Sequence, residues 1–431
     1  MERRQFLKYI SALPSWALAT EVINFFPENL LANVSPNETL QNPHFFVLIL
    51  VNGGMDVTLG LEPRIHQAGE DQKDVFIEYR PEQIIQAGNL RLGPAAEALK
   101  NYHQDLAIVN GINMRRDAGH LSSLEYIASG NGDGTKAYLP VEIGQAMKSI
   151  GLAGVIQNSA IRLGNYEVAV TELQNIFSES LNSEKQNENR FLGNWSKNPS
   201  VYEMAINNYK KLRLPLQKIS RELANKNPNQ SLHELPPEKL ISKIFQNKLS
   251  YQAVISLNDN LDTHSNHAGK DGVPGSHWMA QSQVWAQVAE FFKAFKNTEF
   301  NKGSLFDSTT FMVASEFSRT PFLNNSNGKD HNPYTNSVLL AGRKIKGGTT
   351  VGSSHIIKRT NSKSSLHIAT PLDYSNGNLV TIADSQSLNN KKVNFIYPEN
   401  LARTLVHGFG NPSGIISVNM NTPIIPGVLK V

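Results

Sequence analysis

The sequence predicts an α/β fold, with a mostly parallel central sheet flanked by helices. Three observations carry this: short continuous apolar runs recur along the chain, each ends in polar or glycine residues, and helix-like stretches separate them. The first run is Phe45 to Val51, closed by Asn52-Gly53-Gly54. It reads as a strand buried on both faces. Leu106 to Val109 ends at Asn110-Gly111, Ala253 to Leu257 at Asn258-Asp259, Thr309 to Ala314 at Ser315-Glu316, and Ser337 to Ala341 at Gly342. Helical patterns cover Pro94 to His103, His120 to Ser129, Tyr202 to Leu223, Pro237 to Gln252 and Ser276 to Lys296. Gly347-Gly348 and Gly352 suggest a hairpin around Lys346 to Val351.

The body, residues 44–431, is preceded by two other segments. Arg3-Arg4 followed by Gln5-Phe6-Leu7-Lys8 and an apolar stretch from Tyr9 to Ala19 has the form of a twin-arginine (Tat) export signal. Ala17-Leu18-Ala19 supplies a small-residue cleavage pattern, and the apolar run is too short to span a bilayer. The expectation is a signal over 1–19, a polar tether over 20–43, and a periplasmic or exported mature chain without a transmembrane span, the Tat export machinery being its first partner. Inside the body, a stretch rich in Asn, Glu, Ser and Lys introduces helices with no strand between them. Residues 178–252 read as a cap-like helical insertion, either a lid or a solvated helical pair.

Composition excludes several chemistries. The 431 residues carry 41 basic and 37 acidic side chains, a net charge of +4, which provides no strong field for nucleic acid. There is no cysteine, so disulfides, thiolate nucleophiles and Cys-ligated metals are absent. Any metal must be held by His, Asp and Glu.

In an open α/β sheet, ligands bind outside the carboxyl ends of the strands. The residues there are of metal-ligating type. The first run delivers Asp56 after two glycines, as a turn residue or a ligand. The run ending at Leu257 delivers Asp259, Asp262, His264 and His267, and the next delivers Glu316 and Arg319. Asp262 and His264, two apart in extended chain, project to one side. Asp330-His331 lies in an Asn- and Gly-rich loop, and His120 begins a helix, where free amides favour an anion. Carboxylates and imidazoles without thiolate suit Zn, Mn or Mg, as one or two ions.

In that order, Gly53-Gly54-Met55-Asp56, Gly119-His120-Leu121, Leu261-Asp262-Thr263-His264, Ser315-Glu316-Phe317-Ser318-Arg319-Thr320 and Lys329-Asp330-His331-Asn332 resemble the domain of unknown function 1501 family, exported bacterial proteins related to the alkaline phosphatase and sulfatase superfamily. The likeness runs from about Phe45 to a final helix near Pro398 to Phe409. It implies an alkaline-phosphatase-like sheet with a metal centre at its carboxyl edge. Asp56 would be the first-strand metal aspartate, Asp262 and His264 a second cluster, Glu316 an acid after a strand, and His331 a late ligand. Phe317 departs from the pattern, since many superfamily members have histidine there. The family usually shows Ser-His-Phe where this chain has Gly119-His120-Leu121, and Gly at Val57 and Ser318. The nearest hydroxyls to serve as nucleophile are Ser122 and Ser123.

The expectation is an exported metal-dependent hydrolase of phosphate or sulfate esters, using activated water or a serine hydroxyl. Arg319 either holds an anionic oxygen or pairs with Glu316. The hydrolase's partner would be a small anionic ester or an envelope component; the alternative is a non-catalytic periplasmic or envelope protein of the same fold that uses its face or cap to bind an envelope component or partner.

Overall fold

The computed structural model describes residues 42–115, 118–132, 138–146, 154–157, 236–248, 251–258, 261–265, 277–357, 365–381, 393–412 and 418–430. The export signal, all but the end of the tether, most of the insertion, the stretch from Tyr202 to Leu223, Asp259 and His267 lie outside them.

Seven strands form the main sheet: β1 (Phe45–Asn52), β2 (Leu106–Val109), β3 (Gly154–Gln157), β4 (Gln252–Asn258), β5 (Thr309–Ser315), β6 (Val338–Gly342) and β7 (Thr349–Val351), in the order β7-β2-β6-β5-β1-β4-β3. β1 is parallel to β4 on one side (Leu48↔Val254) and to β5 on the other (Leu48↔Met312). β6 alone runs against its neighbours, antiparallel to both β5 and β2. The fold is therefore the mostly parallel α/β sheet that the apolar runs predict.

β1 shows why these runs are continuous rather than alternating. Phe45, Val47, Ile49 and Val51 face one core, packed with Ile241 and Phe245 of α3 (Pro237–Gln246) and with Trp285, Phe292 and Phe295 of α4 (His277–Lys296). Phe46, Leu48 and Leu50 face the other, which holds Leu124 and Ile127 of α1 (His120–Ser129), Ile143 of α2 (Leu139–Ala146), and Leu401 and Leu405 of α5 (Pro398–Gly408). With helices on both faces, every β1 side chain up to Val51 is fully buried. At about 2 kcal/mol per large apolar side chain buried, the strand anchors both layers.

Besides β3 and α2, which the sequence reading does not pick out, the structure differs from the sequence expectations in three places. Pro94–Asp105 forms 3-10 turns instead of one α-helix, because Ala96 leaves helical geometry (φ −94°, ψ 20°) while Leu99 packs inward. α3 stops at Gln246, since Lys248 turns the chain at φ 56° so that Gln252 can pair beside Phe46. Around Gly347-Gly348 the chain makes no hairpin. Thr349–Val351 joins the main sheet parallel to β2, and an antiparallel pair is formed later, by Ser354–Ile357 with Leu366–Ala369. Gly347 permits this approach, because a Cβ there would lie 1.7 Å from the Gln104 carbonyl oxygen. No helix among the described residues is long and apolar enough to cross a membrane.

Just before β1, His44 is buried, its ring stacked 3.8 Å from that of Phe409 and its Nε2 2.8 Å from Thr310 Oγ1. Burial, then the charges of Arg343 and Lys344, push its pKa down to about 3 from 6.5. Between those two pH values the unfolded chain binds the extra proton and the folded one does not, so stability rises with pH in that window and is lost as pH falls. We expect the urea midpoint to drop as pH falls from 6.5 towards 3, and His44→Gln to make that dependence shallower. An unchanged slope in the variant would refute this role for His44.

Candidate metal centre

The direction of β6 decides what gathers at the sheet edge. Because β6 runs backwards, its amino end lies beside the carboxyl ends of β1, β4 and β5, and the loop before it, carrying Asp330 and His331, arrives at the edge from which Asp262 and Glu316 emerge.

That loop is fastened to the segment after β4. Lys329 N donates to Thr263 O (3.0 Å), Asn324 Nδ2 donates to His264 O (3.0 Å) and to Asp330 Oδ1 (2.8 Å), and Ser265 bridges to Asn327. On its other side, Ser318–Arg319 pairs antiparallel with His331–Asn332. Gly53, at φ +95°, lets the end of β1 sit against the chain after β4, since a Cβ there would lie 2.7 Å from Asp262 N.

The result is a compact group of four. His120, Asp262, His264 and His331 each offer one ligand atom, and all four atoms lie within 4.8 Å of one another. Asp262 Oδ1 lies 3.0 Å from His264 Nε2 and 3.5 Å from His331 Nε2, Asp262 Oδ2 lies 3.4 Å from His120 Nε2, and the Nε2 atoms of His264 and His331 are 2.9 Å apart. Donors around a tetrahedral zinc, with bonds near 2.0–2.1 Å, stand about 3.3 Å apart. The observed spacings bracket that value. The group opens on one side, with His120, Asp262 and His264 between 43% and 47% exposed and His331 at 19%.

Each imidazole is also held from behind. His120 Nδ1 lies 2.9 Å from Glu316 Oε1, His264 Nδ1 2.9 Å from Asp330 Oδ1, and His331 Nδ1 2.7 Å from the Ala118 carbonyl oxygen. Carboxylates and carbonyls accept, so all three Nδ1 atoms carry a proton, and all three Nε2 atoms are turned towards Asp262. This is the outer arrangement that fixes the tautomer of metal-binding histidines. Phe317, buried, stacks on His331 at 4.1 Å and braces His120 at 5.0 Å.

Electrostatics follow the same pattern. The Glu316 hydrogen bond, followed by the charges of Glu316 and Asp262, raises the His120 pKa in spite of desolvation. Desolvation lowers that of His331. For Asp262, partial burial acts upward but is outweighed by the hydrogen bond and charge of Arg319 and by the two histidines, so its carboxyl stays below the usual range.

The sequence candidates therefore separate. Asp262, His264, His331 and His120 converge. Glu316 and Asp330 stand behind histidines, and buried Glu316 also accepts from Gly53 N (2.7 Å) and Ser315 Oγ (3.0 Å). Asp56 is not in the group; its buried carboxylate faces Lys329 and His277. Arg319 is fully buried, donating to Asp262 (2.6 Å), to the Lys329 carbonyl (2.9 Å) and twice to the Gly53 carbonyl. Ser122 is exposed in the first turn of α1 and donates to Gly119 O at 3.3 Å, whereas Ser123 is buried. Sequence reasoning missed His277, whose only signal is its place at a helix start, and left Lys329 without a role.

No curated protein matches the chain. Among solved structures it is similar to the lipoteichoic acid synthase LtaP from Listeria monocytogenes, at 8% identity over 94% of this chain and 80% of that one, with a TM-score of 0.37. It is also similar to the integral membrane lipooligosaccharide phosphoethanolamine transferase A from Neisseria meningitidis, at 10% identity and TM-score 0.37, over 92% of this chain but only 60% of that one. A third is a protein in the alkaline phosphatase superfamily from Vibrio parahaemolyticus, at 10% identity over 78% of this chain and 71% of that one, with a TM-score of 0.30. The segment from β4 through the centre and past β7, residues 254–372, matches the model of the family described as protein of unknown function (DUF1501).

Proposed function

We propose that His120, Asp262, His264 and His331 hold a divalent metal ion, and that the centre hydrolyses phosphate or sulfate esters in an exported protein. The observation that carries the reading is the orientation of three imidazoles, each with Nδ1 hydrogen-bonded outward and Nε2 turned to one carboxylate. Three nitrogens and one carboxylate oxygen favour zinc over magnesium, which prefers oxygen ligands. When bound, the ion supplies Lewis-acid stabilisation of charge on an ester oxygen.

The chain's own groups supply the rest. Glu316, through His120, and Asp330, through His264, hold the rings against rotation. The amino end of α1, with Gly119 as a cap that lacks a side chain, presents backbone amides beside His120, a position that favours an anionic group. Ser122 projects its hydroxyl from that same turn and is the candidate nucleophile. Arg3-Arg4 at the amino terminus supports export by the Tat route.

The test is purified protein assayed against aryl phosphate and aryl sulfate esters, with and without chelator. Turnover that chelation abolishes and zinc restores is the expected result. Ser122→Ala separates two routes, a loss of at least about 100-fold assigning the attack to Ser122 and unchanged turnover assigning it to water. Metal-loaded protein inert towards both ester classes would turn the reading to the binding role.

A further inference from the structure

We infer that the centre holds one ion and not two, because the neighbouring cation position is filled by the chain's own Lys329. This rests on the metal reading above and adds to it a stoichiometry and a residue that sets it.

Asp56 is the reason to look for a second position. Its carboxylate is 1% exposed at the same sheet edge, and its Oδ2 atom is the one that meets an imidazole and an ammonium. His277 Nε2 lies 3.4 Å from Asp56 Oδ2, and Thr58 donates to Oδ1 from both its amide (3.0 Å) and its hydroxyl (2.7 Å). Thr263, next in the chain to Asp262, holds His277 through Oγ1 to Nδ1 at 2.9 Å. This inner group thus connects directly to the outer one.

The cation is already there. Lys329 is fully buried and its Nζ lies 2.5 Å from Asp56 Oδ2, with the Phe76 ring centroid 5.9 Å away. Its backbone is fixed at both ends, the amide donating to Thr263 O and the carbonyl accepting from Arg319 Nη1. Lys329 precedes Asp330 and His331, so the loop that brings an imidazole to the outer group also drives an ammonium into the inner one.

Charge balance agrees. In the outer group Asp262, Glu316 and Asp330 stand against Arg319 alone, which leaves two negative charges with the histidines neutral, the complement of one divalent ion. The inner pair is neutral as it stands. A second divalent ion beside Lys329 would place uncompensated positive charge in a buried site, which is strongly unfavourable. Phe317 adds a buried apolar ring at this edge. It stacks on His331, and a Cβ added to Gly54 would lie 2.8 Å from it.

The test is zinc stoichiometry, by elemental analysis and calorimetric titration, on the wild-type protein, Lys329→Met, and Lys329→Met combined with Asp56→Asn. One ion per wild-type chain, two in Lys329→Met and one again in the double variant is the expected result. Two ions per wild-type chain would overturn the inference and leave the metal reading standing, whereas no ion would overturn both. Lys329→Met that folds and still takes one ion would overturn the role of the ammonium. If Lys329→Met does not fold, the wild-type count decides by itself.

Discussion

Asp262→Ala is expected to empty the metal centre. Asp262 is the one side chain that all three histidines share, with contacts of 3.0–3.5 Å to their Nε2 atoms, and Arg319 holds it in place. Removing it takes away the charged group that faces all three Nε2 atoms and leaves only the carboxylates of Glu316 and Asp330, which stand behind the rings, to draw a cation in. An outer partner of a metal histidine is worth roughly 10- to 100-fold in affinity. Glu316→Gln should fall in that range, because the amide oxygen still accepts from His120 Nδ1, and Asp262→Ala should exceed it. Competition against a chelator of known affinity measures both. Because Asp262 also faces the buried guanidinium of Arg319, Asp262→Asn, which keeps an oxygen to accept from Arg319 Nη2, is the paired variant that separates loss of metal from loss of fold. Stoichiometric zinc retained by Asp262→Ala at wild-type affinity would end the metal assignment.

What the sequence disclosed and what it withheld have physical causes. The apolar run of β1 was readable because both of its faces are covered, which removes the alternation an exposed face would impose. The direction of β6 was not, since Val338 to Gly342 reads equally well either way. Its reversal is what delivers Asp330 and His331 to the edge. At the site, strand-end position drew attention to Asp262, His264, Glu316, His331 and Asp56, but it fixes only the edge at which a residue emerges and not its depth. Asp56 and Asp262 look alike in sequence, yet one is sealed against an ammonium and the other stands half open. Glu316 looked like a ligand because hydrogen-bonding to the back of a histidine leaves the same residue types in sequence as ligation does. Lys329, in a loop of Asn, Gly and Asp, reads as a solvated surface lysine, and only the pairing of that loop with Thr263 and Arg319 buries it.

Arg319→Ala is expected to unfold the site from beneath. The sequence offers Arg319 as a clamp for an anionic substrate, but its guanidinium is fully buried and spans three acceptors from three segments. The Gly53 carbonyl ends β1, the Lys329 carbonyl belongs to the loop before β6, and the Asp262 carboxylate follows β4. The planar fork suits this and an ammonium does not. Alanine would leave two carbonyls poorly satisfied and Asp262 without its positive neighbour, so a loss of roughly 3–5 kcal/mol is expected, as for a buried pair broken on one side. Arg319→Lys keeps the charge but cannot reach all three acceptors, and should fall between. Urea unfolding followed by near-ultraviolet circular dichroism gives the stability, and chelator competition gives the accompanying fall in zinc affinity. A substrate clamp would behave in the opposite way, with stability and zinc affinity unchanged and only the KM for anionic esters raised. An Arg319→Ala protein within about 0.5 kcal/mol of wild type would return Arg319 to the substrate.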